Sequence, residues 1–174
     1  MVALIVSFVI AILDQVSKYL VSWQFYPGEP LPIIRGFFNL TYVRNTGAAW
    51  GIFGGWNAWL AVLSLVILAA LVVFRRSFLV DCLSHRLALG LMIGGIVGNL
   101  FDRVRLGYVV DFLDFRFGSY PFPAFNVADS AICIGVAIYA LSSLRLPSHP
   151  LRDFKGGGGQ DAGTREADKS SPAP

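Results

Sequence analysis

From Ala58 to Phe74 the chain carries no charged side chain, and the run ends abruptly at Arg75-Arg76. A stretch of this length and composition reads as a helix crossing a bilayer, because only a helix satisfies every backbone polar group in lipid. Three further segments have the same character. One spans about Val2 to Val21, interrupted late by Asp14 and Lys18. A second, about Leu87 to Phe101, is short and glycine-rich. The last runs from Val127 to Leu144 and is closed by Arg145 and Pro147. With 55% hydrophobic and 14% charged residues, the 174-residue chain is too apolar for an ordinary soluble domain. The expected fold class is therefore a membrane α-helical protein with four transmembrane helices.

Gly90, Gly94 and Gly98 recur every four residues and share one helix face, where a neighbouring backbone can approach closely. Short-loop Lys and Arg counts give eight on the side of segment 75–86 and the C-terminal tail, against five in segments 22–57 and 102–126. This places both termini in the cytoplasm and the two long connections outside. The N-terminus lacks the basic region and cleavage site of a signal peptide, so it is read as a retained span.

The outward connections carry strand signals. Pro32 to Tyr42 is aromatic and β-branched, and Phe112 to Phe117 alternates. A small extracytoplasmic sheet is expected on the membrane surface. A short interfacial helix is expected around Gly54-Gly55-Trp56-Asn57-Ala58-Trp59. Residues 1–150 read as one membrane-embedded domain. Residues 151–174, with Gly156 to Gly159, read as a disordered polar tail.

The polar residues near these spans are the candidate chemistry. Asp111 and Asp129 stand where carboxylates are costly, and such groups face protein or water and have a task. Two acids in unlike surroundings can share a proton and activate water. Asn126 is placed to cap the last helix, with Asp129 in its first turn, where the helix dipole favours the ionised form. Asp111 would come from the connection above it. Asp114 competes with Asp111 but reads as solvated. Asp14 and Lys18 at i,i+4 either form a structural ion pair or shape the polar end of the site. Asn45-Thr46-Gly47 is either a plain turn or a site of close substrate approach in which Asn45 binds a peptide carbonyl or orients an acid. Asn99 and Arg103 share a face, and Arg103 either pairs locally with Asp102 or offers its planar fork to a carbonyl or carboxylate.

Other chemistries lack support. His85 and His149 lie in polar interhelical or tail positions. Cys82 and Cys133 are too far apart on this topology for a disulfide, and no metal-ligand spacing occurs. The chain has neither a serine-nucleophile elbow, a zinc-peptidase motif nor a P-loop. Its three lysines form no basic patch, so no nucleic-acid partner is expected.

Asp14-Gln15-Val16-Ser17-Lys18, Asn45 to Trp50, Gly94 to Arg103, Gly107 to Phe112 and Phe125 to Ser130 resemble, in order and spacing, the motifs of the lipoprotein signal peptidases (signal peptidase II). The resemblance covers about residues 4 to 145. It implies a bacterial inner-membrane aspartic endopeptidase with its active site near the periplasmic face. Such an enzyme removes the signal peptide of a prolipoprotein on the N-terminal side of a diacylglyceryl-modified cysteine. The family's catalytic pair maps onto Asp111 and Asp129, and its supporting residues onto Asn45, Asn99, Arg103 and Asn126. The resemblance implies no metal and no cofactor. Its partners would be the lipid-modified prolipoprotein, membrane lipids, and peptide inhibitors at the catalytic site. Trp50 stands where Phe is common, and the glycine-rich tail has no counterpart. The competing reading of the buried acids is a small proton-coupled transporter or channel subunit.

Overall fold

The computed structural model describes residues 1–47, 55–75, 82–118 and 120–145. The readings of Trp50, Gly54 and the C-terminal tail lie outside these residues. The described helices are α1 (Val2–Gln24), α2 (Asn57–Val73), α3 (Leu83–Leu106) and α4 (Val127–Arg145). Between them run strands β1 (Pro30–Ile34), β2 (Phe38–Asn45), β3 (Val109–Phe117) and β4 (Tyr120–Pro121). Among the described residues α1, α3 and α4 are long and apolar enough to cross a membrane. α2 is apolar but shorter: its 17 residues, at 1.5 Å each, rise about 26 Å. Trp56 and Trp59 lie at the start of α2 itself, where a separate interfacial helix was expected.

The apolar stripes of the helices face outward. Leu4, Phe8, Val16, Val66 and Val136 are all at least half exposed. Such surface is unfavourable in water and matched by acyl chains.

The helix seams follow the glycines. A side chain at Gly90 would meet Ala3 and Val6 of α1, and one at Gly94 would meet Ser7 and Ile10. One at Gly98 would meet the Asp14 carboxylate. Gly95 faces Ala128 and Ile132 of α4, and Gly135 of α4 returns the contact against Ala88 and Met92. α3 is thus gripped on two faces, and its polar residues are held among its neighbours.

Four antiparallel strands form one sheet in the order β1-β2-β3-β4. The Pro32–Tyr42 strand signal resolves into two strands joined at Gly36, whose φ of 76° suits a residue without Cβ. The alternation read from Phe112 begins earlier, at Val109, so Asp111 sits inside β3 rather than in a connection before it. The β2–β3 register slips between Leu40 and Val43, beside Asp111. Such bulges re-aim side chains next to functional sites. The two-residue period sends Val110 and Phe112 into a core with Val21 and Tyr42, and turns Val109 and Asp111 the other way.

Two expectations about polar residues need correction, and one open alternative is decided. Asp114 is buried rather than solvated, because Asn39 donates to it at 2.9 Å and Arg116 at 3.2 Å. His85 lies in α3 and is buried against Cys82 and Ser143 rather than in a polar loop. Asp102 pairs with Lys18 at 3.0 Å.

Candidate active site

Asp111 and Asp129 reach one cavity from different elements. The segment before α4 is tied to β3 by Phe125, whose N–H donates to Leu113 O and whose carbonyl accepts from the Phe112 and Leu113 N–H groups. This bridge brings Asn126 and the start of α4 beside Asp111. Asn126 then caps α4 reciprocally. Asp129 N–H donates to Asn126 Oδ1 at 3.0 Å, and Asn126 N–H donates to Asp129 Oδ2 at 3.2 Å. The spacing expectation for this cap is met.

All four carboxylate oxygens of the pair are held. Asp111 Oδ1 accepts from Asn126 Nδ2 at 2.7 Å, and Oδ2 accepts from Asn45 Nδ2 at 2.8 Å. Asp129 Oδ1 accepts from Asn99 Nδ2 at 2.7 Å. Asn126 also reaches Asn99 Oδ1 at 3.2 Å, so the two acids hang from one continuous amide network. Asn45 combines two of its readings: its Oδ1 accepts from Gly47 N–H at 2.9 Å in a tight turn, while its amide donates to Asp111.

Burial pushes the Asp111 carboxyl up to about 7, and the nearby Asp129 carboxylate pushes the same way. The Asn45 and Asn126 donors and the Lys18 charge oppose that rise.

Arg103 lines the cavity and donates through Nη2 to Gly47 O at 3.2 Å. Its Nε and Nη1 are buried and without a hydrogen-bond partner among the described residues. The local pairing with Asp102 is therefore not formed, and two donors of the guanidinium remain for something else. The cavity is about 430 Å³, and Val109, Phe122 and Phe125 give it apolar walls.

Asp14 and Lys18 lie behind this site, paired at 2.7 Å, and Lys18 also donates to Asn99 Oδ1 at 2.8 Å. The pair is thus an ion pair, and its lysine touches the amide network around the two acids. Sequence reasoning gave no role to Gln15 or to the aromatic wall. A polar residue beside Asp14 inside a span was the available signal for Gln15. Phe122 and Phe125 left none, since apolar residues near a membrane are unremarkable. Among the described residues, no group of three His, Cys, Asp or Glu side chains could hold a metal.

Apolar spans and two carboxylates facing one cavity describe a class, a helical membrane protein with a paired-acid site. The comparisons narrow it. Residues 6–145 match the family model for signal peptidase (SPase) II. A lipoprotein signal peptidase of Desulforapulum autotrophicum is 46% identical over 144 residues, covering 78% of this chain and 86% of that protein. One from Bacillus pumilus is 41% identical over 140 residues, covering 80% and 90%. A solved bacterial membrane enzyme superposes with a TM-score of 0.73 at 38% identity, covering 82% of this chain and 87% of that one. The chain belongs to the signal peptidase II family and is a membrane peptidase. The transporter or channel reading is not favoured.

Proposed function

We propose that the chain cleaves the signal peptide from diacylglyceryl-modified prolipoproteins, N-terminal to the lipidated cysteine, with Asp111 and Asp129 as its catalytic pair. The observation that carries this reading is the convergence of the two acids on one cavity with every carboxylate oxygen held by an N–H donor. Orientation held in advance removes reorganisation from the reaction itself.

In this mechanism a water lies between the acids. Asp129, at a helix N-terminus, takes a proton from it as its oxygen adds to the scissile carbonyl. Asp111, with its carboxyl raised to about 7, carries the other proton near neutral pH and gives it to the carbonyl oxygen. The tetrahedral adduct then collapses. The C–N bond breaks, Asp129 returns its proton to the departing amine, and Asp111 recovers the proton of the hydroxyl. The pair titrates as a unit. The Arg103 donors without a partner among the described residues hold a substrate carbonyl, Gly47 admits the peptide backbone, and Val109, Phe122 and Phe125 take apolar substrate side chains.

α2 is the fourth span in this reading, with both termini in the cytoplasm of a bacterial inner membrane. The sheet forms an outward cradle above the site. The signal helix and acyl chains stay in lipid, against the exposed apolar helix faces, while the scissile bond reaches water. Asp111→Asn and Asp129→Asn should each abolish cleavage of a lipidated prolipoprotein, read as a mass drop on a gel, in protein that still inserts. Near-normal turnover in either variant rejects the assignment.

A further inference from the structure

Behind the two cavity acids lies a second pair of carboxylates, Asp14 and Asp102, which never reaches the cavity. Lys18 joins them. Its ammonium lies 2.7 Å from Asp14 Oδ2, 3.0 Å from Asp102 Oδ2 and 2.8 Å from Asn99 Oδ1, so all three of its protons are engaged. Gln15 Nε2 bridges the same two acids, at 3.2 Å from Asp14 Oδ2 and 3.0 Å from Asp102 Oδ1.

An ion pair that only made charges tolerable within a span would need one acid and one base. This cluster holds two acids for one lysine, all nearly inaccessible, one acid more than a simple ion pair needs in a place where charge is costly. Backbone donors supply the compensation, and their positions are informative. Asp14 Oδ1 accepts from Ala128 N–H at 2.9 Å, and Asp102 Oδ2 accepts from Val110 N–H at 3.1 Å. Ala128 immediately precedes Asp129, and Val110 immediately precedes Asp111. The cluster therefore grips the main chain one residue before each cavity acid, from α1 and α3, elements that contribute neither acid.

We propose that Asp14 and Asp102, clamped together by Lys18, are positioning residues that set the spacing of Asp111 and Asp129 by anchoring the backbone N–H next to each. This rests on Asp111 and Asp129 being the catalytic pair. α4 is anchored by Asp14 and β3 by Asp102, and Lys18 ties the two anchors to each other. The separation of two acids borne on different elements is thereby decided in one place. A shift of about 1 Å at a catalytic group can cost about 100-fold in rate.

Asp102 offers a test that separates anchoring from charge. In Asp102→Asn the oxygen can stay where Oδ2 is and still accept from both Val110 and Lys18, while the charge is lost and the new Nδ2, at the place of Oδ1, displaces the Gln15 amide. In Asp102→Glu the charge and the lysine are kept, but the extra methylene displaces the oxygen from Val110 N–H. Cleavage of a lipidated prolipoprotein by full-length, monodisperse protein should give kcat in the order wild type, Asn, Glu. The expected losses are less than about 10-fold for Asn and about 100-fold for Glu, with KM within about twofold of wild type in both. Glu turning over as fast as Asn, or a change confined to KM, would overturn the proposal. A reading that needs no variant accompanies it: hydrogen exchange at the Val110 and Ala128 amides of the wild-type protein should be among the slowest in the chain, and rapid exchange at either overturns it. Asp111→Asn and Asp129→Asn run alongside. If both are inactive while Glu matches Asn, positioning alone fails; if either is active, the catalytic assignment fails and takes the positioning role with it.

Discussion

Asp111→Asn should make the protein more stable at alkaline pH while destroying its activity. Asp111 is only 2% exposed, and burial holds its carboxyl at about 7 against an ordinary 3.8. The folded value lies above the unfolded one, so between about 3.8 and 7 the unfolded chain releases this proton first. Wild-type stability from this group is fully present below that window, falls as pH rises through it, and is level above it. A shift of that size corresponds to about 4 kcal/mol. The introduced amide escapes this cost but has one of its own. Both Asp111 oxygens accept from Asn side-chain amides, so the new NH2 must face a donor on one side, at about 1–3 kcal/mol. The net gain at pH 8 is then about 1–3 kcal/mol, or a rise in Tm of roughly 5 °C. At pH 4 the gain disappears and the misfit remains, so the variant should melt at or below wild type. Thermal unfolding of both proteins in one detergent, from pH 4 to 8.5, measures this directly, because titrating groups remote from the Asp111–Asp129 pair cancel in the difference. A Tm difference that does not vary with pH refutes the reasoning.

Cleavage should fall as pH rises past about 7, where Asp111 loses its proton, and Asn45→Ala, which removes a donor favouring the ionised form, should move that alkaline limb upward in a pH–kcat profile. Asn126→Ala removes a donor to Asp111 and the cap of α4. It should lower kcat by about 100-fold and cost about 1 kcal/mol of stability, read by kinetics and thermal melting. Gly98→Ala drives a methyl into the Asp14 carboxylate and should reduce the yield of folded protein after extraction, measured by size-exclusion chromatography. Arg103→Lys keeps the charge but loses the fork that offers Nε and Nη1 to substrate, so KM should rise more than about tenfold with a smaller change in kcat.

Much of the architecture was legible because its causes are local. Apolar runs mark helices directly: the span read from Val2 to Val21 is α1, and that from Val127 to Leu144 is α4. The four-residue glycine repeat identifies the α3 face that meets α1. The Asn126–Asp129 cap follows from a three-residue spacing, which helix geometry alone turns into contact. The strand start at Val109 was hidden because Val109, Val110 and Phe112 are all buried, which erases the alternation that marks a half-exposed strand.

What the order of residues determined unaided is which side chains are unsuited to lipid and which helix or turn each belongs to, since that depends only on neighbours a few positions away. Partnership across the chain was left to the folded molecule. Asp102 turns from its neighbour Arg103 to Lys18, far earlier in the chain, and Asp114 is buried by Asn39, because the glycine seams and the β2–β3 register bring those pairs within hydrogen-bonding range. Contact energies fall off within a few ångströms, and only tertiary packing sets distances between residues so remote in sequence.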